Sequence, residues 1–557
     1  MKSFFRENKH YLLALLFFVS LFVLFFMIAR DGTRNFNIIG DEATLETRVV
    51  NAARNIQYLG PYSRFGWNHP GPIFFYMLLP FYALYSMGTQ SLYVGAAFLN
   101  LLTLFTILYY LYKSNDNYFF YFMAFFLSLY IAYFLKFNTF IAIWNPYVTI
   151  LPLGALIFMS AYLSLGNLKV LPWQALFATF IVQTHVAYVP VVFVIIAVSL
   201  ILYGRTQWRT LKEGINKPGP GQLFFNKKTL NIAAVTTGVL AVTWLLPLVE
   251  MIKNPPGNLL KLVYYFMSTP VRHGLTESLT AVSSITAAPL IEFLGLFYSG
   301  IAVTGTAALV ILFFIQLALI AAAGIINHRH GKKYPLHLLV FGIIGLLVSI
   351  YSVTKITGEI YPYLTRWMSI IGFMNWAVIG FTFLGAIGRL LKSLEITAKM
   401  MARCEAMWAK IPIRFKKLRV VIPVLLISLG LLLHQWEAVQ KSSSIKPNEA
   451  KHEYIGEISA AIENYVEKEN ISSFLMKPLD SLWPIEAGVV DRLYKSGSVS
   501  FSLEDNWLFW FGSQFKQRKA EKDIIYFKKE TEPPGETPGR YLIYHTGECS
   551  VYYMHRQ

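Results

Sequence analysis

Long apolar runs separated by short polar stretches set the pattern of this chain. Crossing the hydrocarbon core takes about 20 apolar residues. Runs of that order lie at roughly 11–29, 91–112, 118–136, 147–165, 171–185, 187–203, 231–249, 300–326, 336–353, 367–388 and 419–434. A further segment, 71–88, is short and interrupted by Pro80. After about residue 436 the pattern turns polar and charged, with a helical stretch at 447–468, strand-like runs at 473–476 and 541–544, and turn signals at 532–539. That tail is long enough for a small domain. The pattern predicts a multi-spanning α-helical membrane protein with about 11 transmembrane helices, juxtamembrane helices and a small external C-terminal α/β domain. The division falls at 1–435 and 436–557.

Composition agrees: of 557 residues, 55% are hydrophobic and 14% charged, which sets the chain apart from large soluble domains. The formal charge of +18 does not call for a nucleic-acid partner, because Lys and Arg gather in cytoplasmic loops of membrane proteins. Such clusters occupy 205–228, 329–333 and 389–419. With an inside N-terminus, all three fall inside only if 71–88 does not cross. It is therefore expected as a juxtamembrane or re-entrant helix, where prolines are tolerated. The apolar run after Lys2, Arg6 and Lys9 shows no small-residue cleavage site and reads as a retained anchor. The expected location is the cytoplasmic (inner) membrane, with the C-terminal domain outside, on the periplasmic face. Segments 30–90, 137–147, the turn near 185, 250–298 and 354–366 share that outer side. Cys404 and Cys549 then lie on opposite sides, so no disulfide is expected.

The chemistry concentrates in 40–76, directly after the first span. Apolar positions at Leu45, Val49, Ala52, Ala53, Ile56 and Leu59 predict an interfacial helix over 42–59, lying on the outer leaflet and ended by Gly60-Pro61. Asp41 suits an N-cap of that helix as well as a catalytic acid. Neighbouring helical acids point about 100° apart, so Asp41 and Glu42 cannot both act on one atom; the other would bind or orient. His69, in Trp-Asn-His-Pro-Gly-Pro, could donate to a phosphate, while the Pro-Gly-Pro breaks the chain. Asn145 is a turn initiator or a polar contact. Gln183 and His185 close a span where polar residues tend to face a cavity. Arg272 in loop 250–298, and Lys355 and Arg366 around 354–366, suit either phosphate contact or interfacial anchoring. No P-loop, dinucleotide fingerprint, HExxH, spaced Cys/His zinc set or GxSxG occurs.

Residues 40–76 resemble the first external loop of the GT-C superfamily, the membrane glycosyltransferases of the protein O-mannosyltransferase and lipid A aminoarabinose transferase type. The parts that carry the likeness are Asp41-Glu42, the helix over 43–59, and His69-Pro70-Gly71-Pro72 followed by Phe74-Phe75-Tyr76. The family commonly has a second acid on the next external turn. Here that place holds Asn145 in Trp-Asn-Pro-Tyr, which puts a two-acid or metal-bridged site in doubt. The resemblance implies a polyprenyl-phosphate-linked sugar donor, a glycan, lipid or protein acceptor, contact with membrane lipids, and Asp41 as general base. Arg272, Arg366, Lys355 and His69 would meet the departing phosphate. No cofactor is implied, and a divalent cation is left open. A transporter or flippase of lipid-linked saccharides is the first alternative, and it would show internal pseudo-symmetry, of which none is visible. A ligase or polymerase of pyrophosphate-linked glycans would favour paired arginines in the large external loop, which has Arg272 alone with two lysines. A non-catalytic scaffold leaves the polar crowding in 40–76 unexplained. Trp483, Trp507 and Trp510 suit sugar rings or a domain core, and core is the favoured reading.

Overall fold

Apolar helices pack as a bundle that carries a polar domain on one end. The computed structural model describes residues 29–30, 32–213, 226–270, 272–295, 305–393, 449–517, 521–529, 539–547 and 549–556. In chain order its helices are α1 (Gly40–Arg54), α2 (Ile73–Leu84), α3 (Gln90–Tyr112), α4 (Asn117–Leu135), α5 (Asn145–Ser164), α6 (Leu171–Thr184), α7 (Val186–Lys212) and α8 (Lys227–Lys253). There follow α9 (Asn258–Ser268), α10 (Leu275–Thr286), α11 (Thr306–Arg329), α12 (Lys333–Thr354) and α13 (Pro362–Leu391). Among the described residues eight helices, α3–α5, α7, α8 and α11–α13, are long and apolar enough to cross a membrane. The spans expected at 11–29 and 419–434 lie almost wholly outside the described residues. At 12 residues, α2 rises about 18 Å, short of the ~30 Å core; Pro80 sits inside it. It does not cross.

Helix α5, buried on nearly every side, is the axis of the bundle. α6 is shorter than the eight, yet its ends meet both ends of α5: Asn145 Nδ2 donates to the Thr184 carbonyl (3.3 Å) at one end, and Gln174 Nε2 reaches Ser160 Oγ (2.8 Å) towards the other. The helix ends fall into two sets. One carries Lys113, Lys169, Arg205, Lys228, Arg329 and Lys332, tied together by contacts such as Lys332–Asp116 (2.5 Å) and Thr206 Oγ1 to the Ser164 carbonyl (2.8 Å). The opposite end carries the first polar loop and the C-terminal domain.

The segment 250–298 departs from the expectation of a long loop. It folds into α9, α10 and a short helix, Ala288–Gly295, and α10 is wedged into the bundle with Ser278, Leu279, Val282, Ser283 and Thr286 buried. Its freed backbone finds partners there: Gln316 Nε2 donates to the Thr286 carbonyl (3.0 Å), as does Trp376 Nε1 (2.9 Å). A re-entrant segment survives at membrane depth only with such partners.

The C-terminal domain has α14 (Glu449–Lys468) and α15 (Trp483–Ser496) against five strands, β1 (Phe474–Lys477), β2 (Phe501–Leu503), β3 (Asp523–Lys529), β4 (Tyr541–His545) and β5 (Cys549–His555). The sheet order is β2-β1-β3-β5-β4; β1 pairs in parallel with β2 and β3, and the β3-β5-β4 side is antiparallel. Ile455, Ile458 and Ile462 of α14 meet Val490 and Leu493 of α15 and the sheet residues Phe474, Ile525 and Val551 in one core.

Helix α1 joins the two parts, and here the sequence expectation fails. It does not lie on a leaflet: Leu45, Val49, Val50 and Ala52 pack into the bundle core, while Ala43 belongs to the core of the C-terminal domain. The polar face is buried beneath α15. Glu46, fully buried, pairs with Lys495 Nζ (2.7 Å) and accepts from Tyr82 and Thr89 hydroxyls. Thr47 Oγ1 donates to Asp491 (2.9 Å), and Arg54 reaches the Tyr494 and Lys495 carbonyls. The pattern of a helix with one polar face is the same for a lipid surface and for a polar protein partner; long-range partners decide between them. The helix also stops at Arg54, before the expected Leu59, where Asn51, Asn55 and Gln57 bond to one another's side chains. Such amides compete with the helical ladder.

Candidate active site

A cavity of about 1020 Å³ opens between the end of the bundle, the first loop and the C-terminal domain. The first loop shapes its floor. Tyr62 pairs with Asn68 across a tight turn closed by Ser63 N to Trp67 carbonyl (3.0 Å), with Gly66 at φ +78 where a side chain is disfavoured. This hairpin holds Tyr62, Arg64 and Trp67 on the cavity wall. The Pro70-Gly71-Pro72 corner then turns the chain into α2. A Cβ at Gly71 would lie 2.2 Å from Gln183 Oε1, so only glycine lets this corner approach α6.

Asp41 is in the first turn of α1, and Ile39, extended and without a side-chain bond, is the N-cap position. Asp41 therefore does not cap the helix. Its carboxylate accepts from the Tyr62 hydroxyl and from the Trp144 indole. Burial raises it above the ordinary aspartate range, and those two hydrogen bonds oppose the shift. Tyr62 in turn touches Trp483, Phe509 and Trp510 with ring centroids 5.7–5.9 Å apart, so the C-terminal domain helps to place the partner of Asp41. Arg48, buried on the same face of α1 two turns on, donates to the Phe509 and Trp510 carbonyls (2.8 and 3.1 Å); burial lowers it to about 10.

Of the nine residues singled out from sequence, Asp41, His69, Asn145, His185 and Lys355 line this cavity. The other four are elsewhere. Glu42 points away and accepts from Tyr93 (2.8 Å), raised chiefly by burial. Gln183 packs at the α6–α8 contact, donating to the Thr243 carbonyl (2.7 Å). Arg366 turns to the Phe134 carbonyl (2.7 Å), and Arg272 is exposed, its backbone N–H on the Thr354 carbonyl (2.8 Å). Neither arginine lines the cavity. The expectation of charge from His69 also changes. Its Nδ1 accepts from Val186 N (3.0 Å), its ring lies 4.6 Å from that of His185, and both are pushed down by burial, His185 to about 3. They are neutral near pH 7 and offer N–H groups, not cations.

Three cations line the cavity: Arg48, already held by the Phe509 and Trp510 carbonyls; Lys355, whose Nζ donates to the Thr269 carbonyl (3.1 Å); and Arg64, which stacks on Phe65 and Tyr361 and reaches the Thr357 carbonyl (3.2 Å). Arg64 and Tyr62 escaped the sequence reading. Their signal is the Tyr-Ser-Arg-Phe-Gly turn, which presents two side chains from one hairpin. Trp507 is core, as favoured, but Trp483 and Trp510 are also cavity wall. Trp67 Nε1, His185 Nδ1 and Trp510 Nε1 are buried with no hydrogen-bond partner among the described residues. Among the described residues no group of three or more His, Cys, Asp or Glu could hold a metal ion.

A helical bundle with this first loop and an end-mounted α/β domain has a counterpart of the same fold among solved structures. In particular, the chain shares its fold with ArnT from Cupriavidus metallidurans bound to undecaprenyl phosphate. The TM-score is 0.50, the identity 11%, and the match covers 99% of this chain and 98% of that one. The apo state of the same protein matches at TM-score 0.48 and 12% identity, over 96% and 97%. At these identities the likeness is one of fold. No protein-family model matches the sequence, and no curated protein does.

Proposed function

We propose that this protein is a glycosyltransferase that moves a sugar from a polyprenyl-phosphate donor to an acceptor on the outer face of the cytoplasmic membrane. The observation that carries the reading is Asp41. It is a carboxylate raised by burial, bonded to Tyr62 and Trp144, on the wall of a large cavity that also holds Lys355 and Arg64. A base works best when its pKa approaches the working pH. The fold likeness to a protein solved with undecaprenyl phosphate points to the donor class. The basic helix ends lie opposite the cavity, and the tendency of Lys and Arg to stay inside favours an outward-facing site.

In the reaction Asp41 takes the proton of an acceptor hydroxyl or amine, whose freed lone pair bonds to the anomeric carbon of the sugar. The bond from that carbon to phosphate oxygen breaks, and polyprenyl phosphate leaves with the electron pair. Lys355 and Arg64 stabilise the charge growing on the phosphate, the kind of preorganised electrostatic contribution that dominates many enzymes. The neutral His69–His185 pair supplies N–H donors at the same wall.

The test uses the full-length chain in vesicles supplied with a panel of undecaprenyl-phosphate monosaccharides and cell-envelope extract as acceptor, with release of free undecaprenyl phosphate as the readout. Release with at least one donor is expected. Movement of the intact lipid-linked saccharide between leaflets without release would assign the chain to transport instead.

A further inference from the structure

The bundle has a second cavity, of about 990 Å³, towards the end remote from Asp41 and between α3, α6 and α8. Its mouth carries three exposed lysines from three different elements: Lys113 after α3, Lys169 before α6, and Lys228 at the start of α8. Among the described residues no Asp or Glu lines the cavity and none of these lysines forms an ion pair. Lys332 nearby does, with Asp116. Lys113 lies over the Tyr109 ring (5.3 Å), and Trp173, 59% exposed, stands at the same mouth. Exposed Trp and Tyr beside lysines are the marks of headgroup depth.

Inward of the mouth the lining turns apolar, with Phe177 and Phe180 of α6, Leu102 and Leu99 of α3, and Met77 of α2 at the deep end. From Lys113 back to Leu99 the α3 wall runs about 21 Å. One leaflet of the hydrocarbon core is about 15 Å deep. A groove that is cationic at one end and apolar for the depth of a leaflet fits one class of molecule, an amphiphile with an anionic head and an alkyl chain.

We infer that this groove is a binding site for an anionic glycerophospholipid of the leaflet at the basic end. The headgroup phosphate sits among Lys113, Lys169 and Lys228, and one acyl chain lies along α3 between α6 and α8. The lipid fills the gap between α8, which is exposed along most of its length, and the rest of the bundle. It thereby braces the helix whose other end carries Lys253 and leads to α9 at the Asp41 cavity. The site is independent of the reaction proposed above.

Native mass spectrometry of the full-length protein, released from micelles holding equal phosphatidylglycerol and phosphatidylcholine, tests it. Each lysine near a phosphate headgroup weights binding by about fivefold, so retention of phosphatidylglycerol over phosphatidylcholine is expected by tenfold or more. The triple variant Lys113→Gln, Lys169→Gln, Lys228→Gln should fall to parity, and the matching triple Lys→Arg variant should keep the preference. Leu102→Trp, which narrows the groove without touching charge, should lower total lipid retention by itself. Equal retention of the two lipids by the unaltered protein would overturn the assignment. So would an undiminished preference in the Gln variant, or displacement of phosphatidylglycerol by equimolar undecaprenyl phosphate.

Discussion

Of the three carboxylates on helix α1, Asp41 and Glu46 stand five residues apart, and their surroundings differ in every respect that matters for chemistry. About 140° of helix turn separates them. Glu46 is sealed between the bundle and the C-terminal domain, with an ammonium and two hydroxyls on it. Asp491 stands beside it, pushed well above the ordinary carboxylate range by burial and by the Glu46 charge. Asp41 has an aromatic hydroxyl and an indole for partners and an open cavity in front. A paired, enclosed acid can only hold structure together. A raised acid facing a cavity with cations on the same wall can exchange a proton with a ligand.

The two faces should separate in experiment. Asp41→Asn is expected to lower release of undecaprenyl phosphate by about 10²–10⁴-fold with an unchanged melting temperature. An equal loss of both would merge the faces and remove the distinction. Lys495→Met should do the reverse: leaving Glu46 buried and unpaired costs about 3–5 kcal/mol, read as a drop in thermal stability. Lys355→Met should reduce turnover by about 10²-fold while the fold is kept, whereas Lys355→Arg retains most of it.

Acidity sharpens the same contrast. Asp41 must be ionised to accept a proton, and burial raises it, so the rate should climb with pH through a midpoint above the ordinary aspartate value. Tyr62→Phe removes a bond that stabilises the carboxylate and should move that midpoint further up, as a pH–rate profile would record. Stability follows another group. His185 stays neutral in the fold down to about 3, while an unfolded histidine protonates near 6.5. Between those values the unfolded chain binds more protons, so stability should fall as pH drops through that window, measurable as melting temperature against pH. Smallest of all, Arg272→Ala should change turnover less than about twofold, as expected of an exposed residue clear of the cavity.

Much of the fold was legible because apolar run length is set by the bilayer itself: α3, α5, α7 and α11–α13 lie close to the expected runs, and Pro80 with a short run marked α2 as shorter than a span. The C-terminal domain announced itself by alternating strands at 473–476 and 541–544. Asp41, His69, Asn145, His185 and Lys355 meet at one cavity because the topology gathers those helix ends on one side. The direction of side chains was not legible. Arg366 follows a four-residue helical turn, and the phase of that turn sends it to Phe134 and away from the cavity. The burial of α1 was hidden for a related reason, since its partners Asp491 and Lys495 are more than 440 residues away in sequence. Histidine charge also depends on surroundings that sequence does not display.

A cryo-electron microscopy map of the full-length chain with added undecaprenyl phosphate tests the account most directly. Phosphate density in the Asp41 cavity, within hydrogen-bonding reach of Lys355 and with the prenyl chain leaving towards the bundle surface, is the predicted result. Phosphate density confined to any other part of the protein, with the Asp41 cavity empty at saturating lipid, would contradict it.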